Sequence, residues 1–413
     1  KKSPNWLGAA PERVKRCDKG MVYHFLVPYD GMADFEKDKN VKALEKDPID
    51  RMKAWRKEMA EPFTPEDCDS LERISNRVDA LWEQHAKERS AMLARIRQPI
   101  DLWGQQPEGE NRLAYSVEQS AQEAAPLARG TAAGQRLKAV MDYWCALWFW
   151  PLDQAELLPT RDEWLMELDV LMDNDVQTLM NSFPRLRVVS QVAERVRFVH
   201  WELVFAEVFA ERGGFDVIVG NPPWVKVEWK EGGVLGDIAP ELEVKKISAS
   251  ETAKRREEVL KGDEERGLYL GEYQEMIGTA QFLNSTANYP LLAKQQTNLY
   301  KCFLVLNWHL LNEDGMEGLI HQPGVFDDPK GGVLRAELSG RLEWYFLFQN
   351  ELRLFEEVGN IRPYCLTVTR GQETSPKFRI YSNLFHPKSV DESARHDGYG
   401  VVPGIKNEED NWE

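Results

Sequence analysis

The stretch FDVIVGNPPWVKVEW at residues 215–229 decides how the rest of the chain is read. An apolar run enters Gly220, Asn221, Pro222, Pro223 and Trp224 without alternation. Continuous apolar character predicts a strand covered on both faces, as in the parallel sheets of α/β proteins. Each proline removes a backbone donor and fixes one φ angle, so neither a ladder nor a helix continues through the pair. Open α/β sheets bind ligands beyond the carboxyl ends of their strands, which is where this stiff turn would lie.

The turn suits a flat, polar guest. Asn221 offers a neutral side-chain acceptor, and Pro222 a backbone carbonyl with no N–H of its own. Two acceptors converging on one exocyclic amino group would hold both its hydrogens, and Trp224 adds a face for stacking. The lone pair of such an amino group is delocalised into its ring. Acceptors on its hydrogens favour a more pyramidal nitrogen, able to attack a methyl group held in line. A base must leave the duplex stack to enter such a pocket.

Upstream, residues 1–195 read as mainly helical. TPEDCDSLERISNRVDALWEQHAKERSAMLARI, residues 64–96, is the clearest helix: Thr64 caps it, Pro65 takes the first position, and Glu66 and Asp67 suit the positive end of the dipole. Leu71, Ile74, Val78, Leu81, His85 and Met92 make one apolar stripe. Further helices are predicted at about 116–126, 133–150, 161–182 and 189–195. Trp144, Trp148 and Trp150 read as core packing, and ARGTAAGQRL at 128–137 as a linker. Downstream, residues 250–267 predict a solvated helix and 295–315 a helix ended by Gly315. Then follow strand MEGLIHQ, a turn-rich PGVFDDPKGG, a helix at about 333–341, and strands EWYFLFQ and YCLTVTRG. That alternation predicts part of a doubly wound sheet.

Length and composition set outer bounds. At 413 residues, with 42% hydrophobic and 29% charged residues, the chain is that of a globular protein of two or three domains. No apolar run approaches the roughly 18 residues that span a bilayer, and five scattered cysteines fit a reduced cytoplasm and buried hydrophobic roles. A net charge of −16 excludes a surface that grips nucleic acid everywhere, though not a local basic groove.

Asn221, Pro222, Pro223 and Trp224 resemble the catalytic Asn-Pro-Pro-aromatic motif of amino-methylating DNA methyltransferases, the adenine-N6 group in particular. The blocks at 147–165, 200–224, 298–311 and 321–358 extend that likeness over about residues 1–375. They are similar to large single-chain methylases: type IIG restriction–modification enzymes and the methylases of phage-defence systems such as DISARM and BREX. The resemblance implies an α/β fold, a partial Rossmann-like class I methyltransferase sheet with a large, mainly helical N-terminal lobe. It places that lobe at 1–195, the catalytic region at 196–380, and the start of a linker or target-recognition region at 381–413. It implies S-adenosyl-L-methionine as cofactor and double-stranded DNA as substrate; the chemistry requires no metal, and the composition predicts a cytoplasmic setting with no membrane. Asn221 and the Pro222 carbonyl would bind the target amino group, Pro223 would stiffen the turn, and Trp224 would stack on the base. His200, Asp216 and Gly220 would lie toward the cofactor, and Lys226, Lys230, Lys245 and Lys246 toward DNA phosphates.

This sequence departs from the family in one respect: no glycine-rich loop after a strand precedes Asn221. That loop is expected before Lys1 or in another chain, with target recognition beyond Glu413. The partners are then the remainder of a longer polypeptide or other defence-system subunits. Several alternatives stand beside this reading. The motif would be a plain rigid turn in a methylase-like DNA-binding scaffold, or the chain part of a single-chain restriction endonuclease–methylase. Asp216, Glu228 and Lys230 match the loose acid…Glu-x-Lys pattern of metal-dependent nucleases, although two prolines interrupt its hairpin. His200 also fits a satisfied histidine at a strand end, the lysines a solvated surface, and DDPKGG at 327–332 a surface turn.

Overall fold

The computed structural model describes residues 22–96, 130–241, 249–356, 358–372, 376–397 and 399. The chain divides into two compact units, Lys1–Glu211 with Glu228–Phe282, and Arg212–Val227 with Leu283–Glu413. The division expected near residue 195 therefore falls after Glu211, because the next short helices belong to the helical unit. His85 Nε2 meets the Leu203 carbonyl at 2.9 Å, and Arg89 pairs with Glu207. The charged stretch after the proline turn joins that unit too, with Trp229 edge-on to Tyr269 and Tyr273 at 5.5 and 5.1 Å.

In the helical unit, α1 (Pro65–Ile96) begins as its sequence dictates. The Thr64 hydroxyl accepts from the Asp67 N–H at 3.2 Å and the Asp67 carboxylate from the Thr64 N–H at 2.9 Å, a reciprocal capping box. Leu71, Ile74, Val78 and His85 are buried on its stripe, while Leu81 and Met92 are only half-buried. Helix α2 (Ala132–Ala146) is capped by Thr131, so the described part of ARGTAAGQRL starts a helix and is not a linker. Gly134 lets α1 and α2 approach closely, since a Cβ there would meet the His85 ring at 2.5 Å. Trp144, Trp148 and Trp150 are buried in the core of this unit. The single helix expected at 161–182 is two, α3 (Arg161–Asp173) and α4 (Val176–Ser182), because Asp175 starts a new cap on the Thr178 N–H at 2.9 Å. Helix α5 (Pro184–Val196) follows. The charged 250–267 region is two helices, α6 (Ala249–Val259) and α7 (Asp263–Asn284); Tyr269 and Tyr273 bury α7 in the core. The helix expected at 116–126 lies outside the described residues.

The second unit is built on β1 (Phe215–Gly220), α8 (Leu299–Leu310), β2 (Leu311–His321), α9 (Gly332–Arg341), β3 (Leu342–Gln349), β4 (Pro363–Thr369) and β5 (Arg379–Leu384). The strand order is β1-β2-β4-β3-β5. β1 runs parallel to β2 and β3 parallel to β5, while β4 is antiparallel to β2 and β3, so the sheet is mixed. β1 is an edge strand, and the covering of both its faces expected from its apolar run is not found among the described residues. Val217 is 63% and Val219 79% exposed. Gly315 does not end α8 as expected. The helix stops at Leu310, and residues 312–315 form an irregularity within β2, where the register jumps from Phe215↔Leu311 to Val217↔Met316. Glycine is required there, since a Cβ would meet the Phe215 carbonyl at 2.7 Å. β5 extends the sheet into the stretch expected to begin a linker, and its short polar RIYSNL gives little signal. The four described cysteines are buried and form no disulfide among the described residues, and no described helix is long and apolar enough to cross a membrane.

A buried network ties α8 to β2 and β4. Asn307 Nδ2 donates to Glu317 Oε1 at 2.8 Å, the Thr369 hydroxyl donates to Oε2 at 2.8 Å, and Trp308 Nε1 donates to that hydroxyl at 2.9 Å. Burial raises the Glu317 pKa from 4.5 to about 7 against these hydrogen bonds. A carboxyl raised in the fold contributes stability in full below its unfolded pKa and loses it as pH rises through 7. Above that the buried charge is worth about 3 kcal/mol of lost stability. Glu317→Gln should therefore gain about that much relative to the parent between pH 5 and pH 8.5, measured by urea unfolding at both values. An identical difference at the two pH values would contradict this placement of the proton.

Candidate active site at the end of the first strand

β1 ends at Gly220, and the chain turns through Asn221–Pro223 into Trp224. Asn221 is exposed and Pro222 buried. The Trp224 indole N–H donates to the Ile320 carbonyl on β2 at 3.3 Å. Its ring lies 5.7 Å from Phe355, which packs edge-on to Tyr364 at 4.8 Å, and Tyr364 stacks on Phe348 at 5.2 Å. Trp224 is thus anchored from the sheet and buttressed by an aromatic cluster. Beyond it, the Leu299 N–H donates to the Val225 carbonyl at 2.9 Å and Lys226 bridges to Asn298, stitching the turn to the start of α8.

Two buried side chains hold backbone that borders the turn. His321, at the end of β2, stacks on Tyr300 with ring centroids 5.1 Å apart. Its Nδ1 is 2.8 Å from the Gln322 carbonyl and its Nε2 3.0 Å from the Thr367 hydroxyl. A carbonyl can only accept, so Nδ1 carries the proton and Thr367 donates to Nε2. Burial lowers the His321 pKa to about 4, so the ring is a neutral peg that fixes Gln322. Asn350 is fully buried after β3. Its Nδ2 donates to the carbonyls of Phe355 and Val358 at 2.9 and 2.8 Å, and its Oδ1 accepts from the Phe355 N–H at 3.1 Å. One amide side chain therefore holds the loop that presents Phe355.

An open cavity of about 890 Å³ is lined by Asn221, Pro222, Pro223, Trp224, Lys226, Gln322, Phe355 and Arg362, among others. Its size lies in the range of small-molecule and cofactor pockets. Both charges among its described lining residues are cations, Lys226 and Arg362, in a chain of net charge −16.

The motif residues and Lys226 thus line one cavity, and the remaining candidates are not among its described lining residues. Gly220 has no positive φ, and a Cβ there would meet only Leu319 Cδ2 at an ordinary 3.5 Å, so the turn does not itself demand glycine. Asp216 sits near the start of β1, where it accepts from Asn312 Nδ2 at 2.8 Å and pairs with Arg212. His200 belongs to the helical unit and is buried, its Nε2 donating to Asp142 at 2.8 Å. Lys230 is exposed and precedes a helix of that unit, Glu231–Ile238; Lys245 and Lys246 lie outside the described residues. The nuclease-like trio is divided in the same way, with Asp216 in one unit and Glu228 and Lys230 in the other. No group of three or more metal-ligating side chains occurs among the described residues. DDPKGG is stapled inward, with Asp328 bound to buried Lys301 at 2.6 Å and its pKa lowered chiefly by that hydrogen bond. Sequence reasoning missed Gln322, Asn350, Phe355 and Arg362, none of which stands out from its neighbours in sequence.

Comparison with known proteins gives one family match. The model of the Eco57I restriction-modification methylase matches residues 144–256, a span that includes the proline turn. This supports a methylase of the restriction–modification kind. No curated protein matches. Among solved structures, a nuclease-deletion mutant of the Type ISP restriction-modification enzyme LlaGI in complex with a DNA substrate mimic aligns at 10% identity and a TM-score of 0.19, too low to bear on the fold. The alignment covers 86% of this chain and 38% of that one.

Proposed function

We propose that the sheet unit is the base-binding part of a DNA adenine-N6 methyltransferase that serves restriction–modification or phage defence. The observation that carries this reading is the cavity itself. It lies at the carboxyl end of β1 with Asn221 open to it, an anchored indole on its wall, and only cations among its described charges. The match at residues 144–256 supports the same reading, and the parallel β1–β2 pair, with α8 leading directly into β2, suits part of a Rossmann-like sheet.

In this proposal a flipped adenine enters the cavity and stacks on Trp224. The Asn221 side-chain oxygen and the Pro222 carbonyl accept the two amino hydrogens, which frees the nitrogen lone pair and aims it. Pro222 and Pro223 keep both acceptors from relaxing when the base arrives, so orientation is set before reaction. Lys226 and Arg362 steady the flanking phosphates. S-adenosyl-L-methionine, the donor this kind of methylase uses, would supply an electrophilic methyl group. The two side chains expected toward it already have partners, Asp216 in Arg212 and Asn312, and His200 in Asp142. The reaction assigned to this chain is accordingly binding and orienting the base.

The full-length protein, produced in a host without adenine methylation of its own, should leave N6-methyladenine in one recurring sequence context of the genomic DNA. Unmodified DNA would favour the non-catalytic scaffold, and modified cytosine would reject adenine as substrate.

A further inference from the structure

A second cavity, of about 490 Å³, opens beside the first and shares Lys226, Gln322 and Gly324 with it. The start of α8, a helix of 12 residues, borders it through Asn298, Tyr300 and Lys301. Asn298 is the N-cap, where a short polar side chain ordinarily accepts from an N–H two or three residues on. It makes no such bond here. The residue is 6% exposed, and its Oδ1 has no hydrogen-bond partner among the described residues. A buried acceptor left unpaired costs about 1–3 kcal/mol, so this one is poised to accept from a donor that enters the cavity.

The surroundings indicate what brings that donor. The Gln322 amide and the Tyr300 hydroxyl supply polar edges, and exposed Lys226 and Lys330 supply positive charge at the rim. Lys301 is neutralised by Asp328 at 2.6 Å, leaving Asp327 as the anion on that side. A positive helix end with cations at the rim suits a phosphate, and carboxamides suit a base edge. One guest carries both groups, a nucleotide. Because the two cavities share Lys226 and Gln322, that nucleotide is adjacent in the chain to the one in the first cavity.

We infer that the second cavity holds the nucleotide next to the flipped adenine, and that Asn298 accepts a hydrogen bond from its base, so that this pocket reads the neighbouring position. The inference rests on the adenine-methylation reading and adds a specificity-determining residue to it. An acceptor favours bases bearing an exocyclic amino group over thymine.

The test uses the full-length protein, S-adenosyl-L-methionine and duplexes in which the positions flanking the methylated adenine are randomised, with modified adenines read by sequencing. The parent should disfavour thymine at one neighbouring position by about tenfold. Asn298→Leu, similar in volume but without the acceptor, should bring that ratio below about twofold without lowering the unfolding midpoint, because it removes an unpaired polar group. An unchanged preference in this variant would overturn the inference and leave adenine methylation standing. No adenine methylation by the parent would overturn both. Should Asn298→Leu fail to fold, Gln322→Leu decides by the same ratio.

Discussion

Asn221→Ala should lower methyl transfer by about 10²–10³-fold, the usual loss when one preorganised polar contact to a reacting group is removed. Its effect on folding should be within about 0.5 kcal/mol, since Asn221 is exposed and its side chain makes no hydrogen bond among the described residues. The separation of the two readouts is the point. A residue serving only a stiff turn would move neither, because Pro222 and Pro223 still fix the backbone. DNA affinity should change little, as Lys226 and Arg362 remain. Single-turnover rates with saturating DNA, beside a thermal scan, check this; a rate within about threefold of the parent would remove Asn221 from the reaction.

Asn350→Ala should destabilise the sheet unit by about 3 kcal/mol. The side chain is fully buried and makes three hydrogen bonds to the backbone of the Phe355 loop. Alanine would leave two carbonyls and one N–H without partners, each deficit worth about 1–3 kcal/mol where water cannot reach. The loop also carries Phe355, which buttresses Trp224. The variant should therefore weaken binding of the target base, raising KM for DNA more than it lowers kcat. Urea unfolding and amide exchange at Phe355 report the two effects. A loss under about 1 kcal/mol, with unchanged exchange, would show that the loop holds itself.

The proline turn was legible because its signal is local. Two prolines after an apolar run define a strand end from composition alone, and the Thr64–Asp67 box defines the start of α1 in the same way. The supports of the cavity were not legible. His321 and Asn350 act through contacts 46 residues away and within one short loop respectively, and neither stands out from its neighbours in sequence. The apolar run of β1 misled about its covering, because hydrophobicity records that a strand is to be covered without recording by what. Gly315 misled for another reason. Glycine after a helical stretch commonly ends a helix, yet here it prevents a clash of β2 with the Phe215 carbonyl of β1. The division between the units escaped because the proline turn is an excursion: the chain leaves the helical unit after Glu211 and returns at Glu228.

The central claim is that the Asn221–Pro222 pair acts on the amino group of an adenine. The most direct measurement is the position of the transferred methyl. The full-length protein is incubated with duplex DNA and S-adenosyl-L-methionine carrying a labelled methyl group, and the DNA is digested to nucleosides. The expected result is label on N6 of adenine with the parent and at least a hundredfold less with Asn221→Ala. Label on a ring carbon, or equal label from parent and variant, would contradict the account.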